Sequence, residues 1–99
     1  MQTEIETDSI PVKTPFVSRR AYPAGKWLTY KEVYLQIDDT CDAVWQFVDG
    51  RRSIKEVSQE LAKKLEWSDV QAFTAVSIFI YVLLEKQWIS LSKPIKLNG

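Results

Sequence analysis

From Val70 to Leu84 the chain runs fifteen residues without a charge, in a sequence of only 99. That run is too short to cross a bilayer, which takes about 20 consecutive apolar residues, so it is read as a core element. Ser68-Asp69-Val70-Gln71 in front of it has the form of a capping box, and the helix it opens is predicted to end near Lys86. An ordinary surface helix shows one apolar stripe and one polar face. Here Val70, Phe73, Val76, Ile80 and Leu83 or Leu84 form a stripe, yet Ile78, Tyr81 and Val82 fall largely off it. Between Gln71 and Glu85 the only polar groups are Thr74, Ser77 and the Tyr81 hydroxyl. Either this helix is central and covered on both sides, or one side is an apolar groove awaiting a partner. A chain this small buries only about 60–65% of its unfolded surface and builds a single core. It has few elements with which to surround a helix, which favours a partial groove.

The rest of the chain divides at Asp38, where the hydrophobic period changes from two to near 3.6. Before it, three strands are predicted at Phe16–Ala21, Lys26–Tyr30 and Val33–Ile37. Tyr22-Pro23-Ala24-Gly25 and Lys31-Glu32 form the turns between them. Val33, Leu35 and Ile37 share one face of the last strand; Tyr34 and Gln36 share the other. After it, Asp38 or Asp39 caps a helix to about Asp49, with Cys41, Val44, Trp45 and Val48 on one face and Gly50 as a left-handed stop. Ser53 and Glu56 form a capping box for a second helix to about Leu65. The expected fold class is α+β: a three-stranded antiparallel sheet followed by three helices, like a winged helix-turn-helix. Residues 1–15, with Pro11 and Pro15, read as a flexible lead-in, residues 16–91 as the domain and 92–99 as a tail. Trp88–Leu91 reads as a short strand or an extended tail.

Composition excludes several functions. Thirteen basic and thirteen acidic residues cancel, whereas a nucleic-acid binder normally carries a basic excess. With no histidine and one cysteine, there is no His base, His metal ligand, internal disulfide or Cys-based metal site. No catalysis, cofactor, metal or membrane span is expected. The N-terminus has no basic region followed by an apolar run, so the expected compartment is the cytoplasm. Cys41 reads as a small buried hydrophobe, Asp38, Asp39 and Asp42 as capping and dipole residues, and the four tryptophans as mostly core. Two elements remain as candidates for binding: the apolar last helix, and the strand Val33–Ile37, whose regular uncharged edge invites pairing with an extended peptide.

The run from Tyr34 through Asp38-Asp39-Thr40 and Val44-Trp45 to Asp49-Gly50, followed by Arg52-Ser53-Ile54-Lys55-Glu56-Val57, resembles the PqqD family over roughly residues 16–91. The resemblance implies a recognition element for ribosomally made, post-translationally modified peptides. Such a domain binds a precursor's leader peptide as an added strand and delivers it to a radical-SAM enzyme or a leader peptidase. Carried over by position, the docking edge would be Val33, Tyr34, Leu35, Gln36 and Ile37. The pocket wall would be Val70, Phe73, Thr74, Ser77, Ile78 and Tyr81. One departure is that Gln87 stands where the family pattern has a glycine, which implies a differently shaped helix end. Two alternatives are a winged-helix DNA regulator, for which the last helix offers only Lys86, and a structural subunit whose groove is a permanent homodimer interface.

Overall fold

Each helix begins at the residue type that its first turn requires. In the computed structural model, which describes residues 6–93, α1 (Asp39–Phe47) is capped by Asp38, whose carboxylate accepts the Cys41 N–H. At α2 (Ile54–Leu65) Ser53 and Glu56 exchange side-chain and backbone bonds in a complete capping box. At α3 (Asp69–Glu85) the Ser68 hydroxyl accepts from Gln71. These bonds satisfy amides that a helix leaves unpaired at its start. No helix among the described residues is long and apolar enough to cross a membrane.

Ahead of the helices, β2 (Ser18–Tyr22), β3 (Gly25–Tyr30) and β4 (Val33–Ile37) form an antiparallel sheet in that order. Register pairs Arg19 with Leu28 and Leu28 with Leu35, so these three point inward together; Lys26 and Ile37 share that face. Leu28 and Ile37 join Val44, Trp45, Ile54, Val57, Leu61, Val76, Phe79, Ile80 and Leu83 in one core. The α+β architecture of three strands followed by three helices is therefore the expected one.

A second sheet was not foreseen as such. β1 (Ile10–Lys13) pairs antiparallel with β5 (Ile89–Ser92), from Ile10↔Ser92 to Lys13↔Ile89. The segment read as a loose lead-in thus contains a strand, and the tail read from residue 92 begins inside β5. Pro11 is no obstacle, because an edge strand tolerates a missing N–H. Upstream, the Ser9 and Thr7 carbonyls accept the Ile54 and Lys55 N–H groups, each at 2.9 Å, and so tie the segment to the start of α2. A polar composition limits what side chains can bury, but not what carbonyls can bond. The first five residues, and Pro94 with the Lys-containing end, lie outside the described residues.

The end of α3 answers the departure at Gln87. Gln87 takes φ +61, in the left-handed region that glycine favours. Its N–H donates to the Leu84 carbonyl at 3.0 Å, and the Trp88 N–H donates to Leu83 at 2.9 Å. This is a complete Schellman motif, with buried Trp88 in the position that closes its apolar contact on Leu83. Thr14 secures the turn, its hydroxyl donating to the Gln87 carbonyl at 2.7 Å and its N–H to Trp88 at 2.9 Å. The helix end keeps the shape a glycine would give, with a non-glycine residue strained into it. Gln87→Gly is expected to stabilise the fold by about 1 kcal/mol. The urea midpoint should rise with an unchanged slope; a fall would show that the Gln87 side chain contributes more than its backbone costs.

Candidate functional site: an open strand edge beside an apolar cleft

β4 is bonded on one side only, to β3. The two-residue turn Lys31-Glu32, with φ +48 and +66, closes the pair Tyr30↔Val33. In such a hairpin the pair next to the turn is hydrogen-bonded, and alternation then directs the N–H and C=O groups of Val33, Leu35 and Ile37 toward β3. Those of Tyr34 and Gln36 face the open edge. The edge at β2 is different, because Arg19 points inward from it and Arg20 adds a second charge. Inward charges on an edge strand discourage pairing. β4 carries no charge and no proline.

Beside the open edge runs α3. Leu35, Gln36, Ile37 and Asp38 form one wall of a cleft of about 450 Å³, and Ala75, Ile78, Phe79 and Val82 form the other. Thr40, Cys41 and Trp67 complete its lining. Ile78 remains 62% exposed there, an aliphatic side chain with little to cover it. Of the residues expected at a binding site, Leu35, Gln36, Ile37 and Ile78 come together in this cleft. Val33 and Tyr34 are exposed on the same strand without lining it.

The remaining expected residues lie elsewhere on α3. Phe73 lines a separate depression with Thr7, Lys55, Ser58, Gln59 and Asp69. Thr74 turns its hydroxyl back to the Val70 carbonyl at 2.8 Å. Val70, Ser77 and Tyr81 are not among the cleft's lining residues. Trp67, Ala75, Phe79 and Val82, together with Asp38, Thr40 and Cys41, were missed as cleft residues. The spacing of Ala75, Ile78 and Val82 at i, i+3 and i+7 was the available signal. Nothing in the sequence marked Trp67, which serves the cleft while Trp45 and Trp88 are buried in the core.

Electrostatics hold the sheet wall in place. Asp42 is 4% exposed and receives a bidentate pair from Arg19, with Nη2–Oδ2 at 2.9 Å, while Gln46 Nε2 donates at 3.1 Å and Lys26 stands 3.5 Å away. Hydrogen bonding from Arg19 lowers the Asp42 carboxyl to about 2 and raises the Arg19 guanidinium. Lys26 also meets Asp39 at 2.7 Å. Asp39 and Asp42, expected as capping and dipole residues, are thus partly a docking device between sheet and α1. Cys41 is half-buried; burial, with the Asp38 carboxylate beside it, pushes its thiol up to about 11. A thiol so shifted is a poor nucleophile at neutral pH. Among the described residues no group of three or more His, Cys, Asp or Glu is placed to hold a metal ion.

Comparison with known proteins identifies this arrangement. The family model of coenzyme PQQ synthesis protein D (PqqD) matches residues 25–89, from the start of β3 through α3. The chain belongs to the PqqD family. Two solved PqqD structures are similar to it. One is the solution NMR structure of the PqqD truncation of Methylobacterium extorquens PqqCD, described as a functional, stand-alone recognition element for ribosomally synthesised and post-translationally modified peptides. It is 20% identical, with a TM-score of 0.76, over 89% of this chain and 96% of that one. The other is the crystal structure of PqqD from Xanthomonas campestris, 24% identical, with a TM-score of 0.56, over 95% of this chain and all of that one. At these identities the likeness establishes the PqqD fold. No curated protein matches the chain in sequence.

Two measurements check the electrostatics. Because the folded-state Asp42 carboxyl lies below the ordinary value of about 3.9, its contribution to stability is complete above that value. It is lost as pH falls toward about 2. Asp42→Asn is expected to melt lower than the parent at pH 7, with the difference shrinking toward pH 2; a pH-independent difference would remove the ion pair as its source. Alkylation of Cys41 by iodoacetamide at pH 7.5 should be well over tenfold slower than that of a free thiol with a pKa of about 8.5.

Proposed function

We propose that this PqqD-family chain is a non-catalytic peptide chaperone. It takes up the leader of a ribosomally made precursor by strand addition along β4, and it presents the precursor to a maturation enzyme, either a radical-SAM enzyme or a leader peptidase. The observation that carries this reading is the open, uncharged edge of β4 beside the apolar wall of α3. Backbone groups at Tyr34 and Gln36 supply register and affinity for any extended segment. Alternate side chains of that segment reach the cleft and supply preference. The similarity to a solved recognition element of modified peptides adds support. The DNA-regulator alternative gains nothing, since α3 contains no Lys or Arg. On this reading the chemistry belongs to the partner, and no cofactor of its own is needed.

The test is titration with short peptides encoded near this gene, read by tryptophan fluorescence, to which Trp67 in the cleft contributes, and by amide exchange. The expected dissociation constant is micromolar or tighter. The Tyr34 and Gln36 amides should exchange fast in the free protein and slowly in the complex. Ile78→Asp, an exposed position that the fold does not need, should weaken binding roughly tenfold or more. Protection confined to other elements, or unchanged affinity in Ile78→Asp, would remove the cleft as the site.

A further inference from the structure

The cleft between β4 and α3 carries a single carboxylate and no cation. Asp38 lines it where β4 passes into α1, and no Lys or Arg lines it. Other aspartates of this region are compensated. Asp39 meets Lys26 at 2.7 Å, Asp42 is held by Arg19 and Lys26, and Asp49 meets Arg52 at 2.9 Å. Among the described residues no cation pairs with Asp38. Its Oδ1 accepts the Cys41 N–H at 2.8 Å, and the Cys41 thiol is hydrogen-bonded to the same side chain. Lys63 lines a neighbouring depression that shares Trp67, but it stands 3.8 Å from Glu60. The helix dipole favours a negative charge at this cap, and the charge stays open toward the cleft.

We propose that the cleft selects an extended peptide whose alternate residues are apolar and which carries Lys or Arg where it passes Asp38, and that it discriminates against Asp or Glu there. This rests on the peptide-binding reading above and specifies its ligand. A strand added along β4 runs past Ile37 to Asp38. Side chains directed at Leu35, Ile78 and Val82 face hydrocarbon, while the one reaching the end of β4 meets a carboxylate. Asp38 is itself exposed, so the pair is a solvent-screened contact of modest strength that acts mainly in discrimination. Like charge placed there would be repelled and left without a partner.

Asp38→Asn separates this charge from the cap, because Asn caps a helix about as well as Asp. Circular dichroism of the variant confirms the fold. Random peptides displayed in a library are selected in parallel on the full-length parent and on Asp38→Asn. Parent-selected peptides are expected to show alternating apolar residues with an enriched Lys or Arg, and variant-selected ones the alternation alone. Changing that Lys to Glu in a selected peptide should weaken binding to the parent about three- to tenfold. The effect should fall below about twofold in the variant, and it should shrink with added salt. Alternating apolar peptides with no basic preference would overturn this inference while leaving the peptide-binding function intact. Failure of any peptide to enrich would overturn both.

Discussion

Asp42 is the point on which the geometry of the open β4 edge depends. A carboxylate buried on α1 costs free energy unless its lone pairs are taken up. Here they are taken up by Arg19 from β2, Lys26 from β3 and Gln46 from the next turn of α1. These cations share the inward face of the sheet with Leu28, Leu35 and Ile37. The ion pairs and the apolar contacts therefore fix the same surface in the same orientation. That surface ends in β4, so the docking that seats the sheet on α1 also sets the distance between the open edge and α3. Arg19 serves a second purpose. Pointing inward from β2, it closes that edge to strangers and leaves β4 as the edge free to pair.

The same physics explains what the sequence could reveal. Period-two alternation over Val33–Ile37 and the change of period at Asp38 gave β4 and α1 with correct faces. Val33, Leu35 and Ile37 do share one face, with Leu35 and Ile37 packed inward and Val33 exposed at the strand's start, and Asp38 is the cap. The capping box at Ser53 and the N-cap at Ser68, where only the hydroxyl half of the expected box forms, located α2 and α3 for the same local reason. α3 resisted reading in detail because apolar residues occur all round it, so periodicity could not phase the helix. Ala72, Val76, Phe79, Ile80 and Leu83 are buried, whereas Ala75, Ile78 and Val82 line the cleft. The expected wall of Val70, Phe73, Ser77 and Tyr81 traces a different stripe, separated from the cleft by rotation about the helix axis. Only the position of β4 decides which stripe faces the open edge of the sheet, and that position is a tertiary fact.

Tertiary contacts also overrule local chemistry at the turns. Lys31, Glu32, Glu66 and Gln87 all take positive φ without being glycine, and none carries the residue signal that such positions usually show. Lys31, Glu32 and Gln87 are held from both sides. The β3–β4 ladder forces Lys31-Glu32, and the Schellman bonds with the Thr14 clamp force Gln87. The strand β1 escaped sequence reading for a related cause. The prolines and acids of residues 1–15 suggest a segment with little to bury, but Pro11 is fully buried, β1 pairs with the β5 backbone, and Ser9 and Thr7 accept the first amides of α2. Composition does not register bonds made by carbonyls.

Under the proposed strand addition, recognition would be divided between two kinds of bond. Backbone pairing at Tyr34 and Gln36 would be indifferent to sequence, so by itself it would accept any extended chain, including another copy of β4. Selectivity has to come from the side chains around the edge. An apolar cleft alone discriminates weakly among aliphatic sequences, since one methylene more or less is worth only about 1–3 kcal/mol. A charge at one end of the cleft does what hydrocarbon cannot, because it makes a wrong partner repulsive rather than merely less attractive.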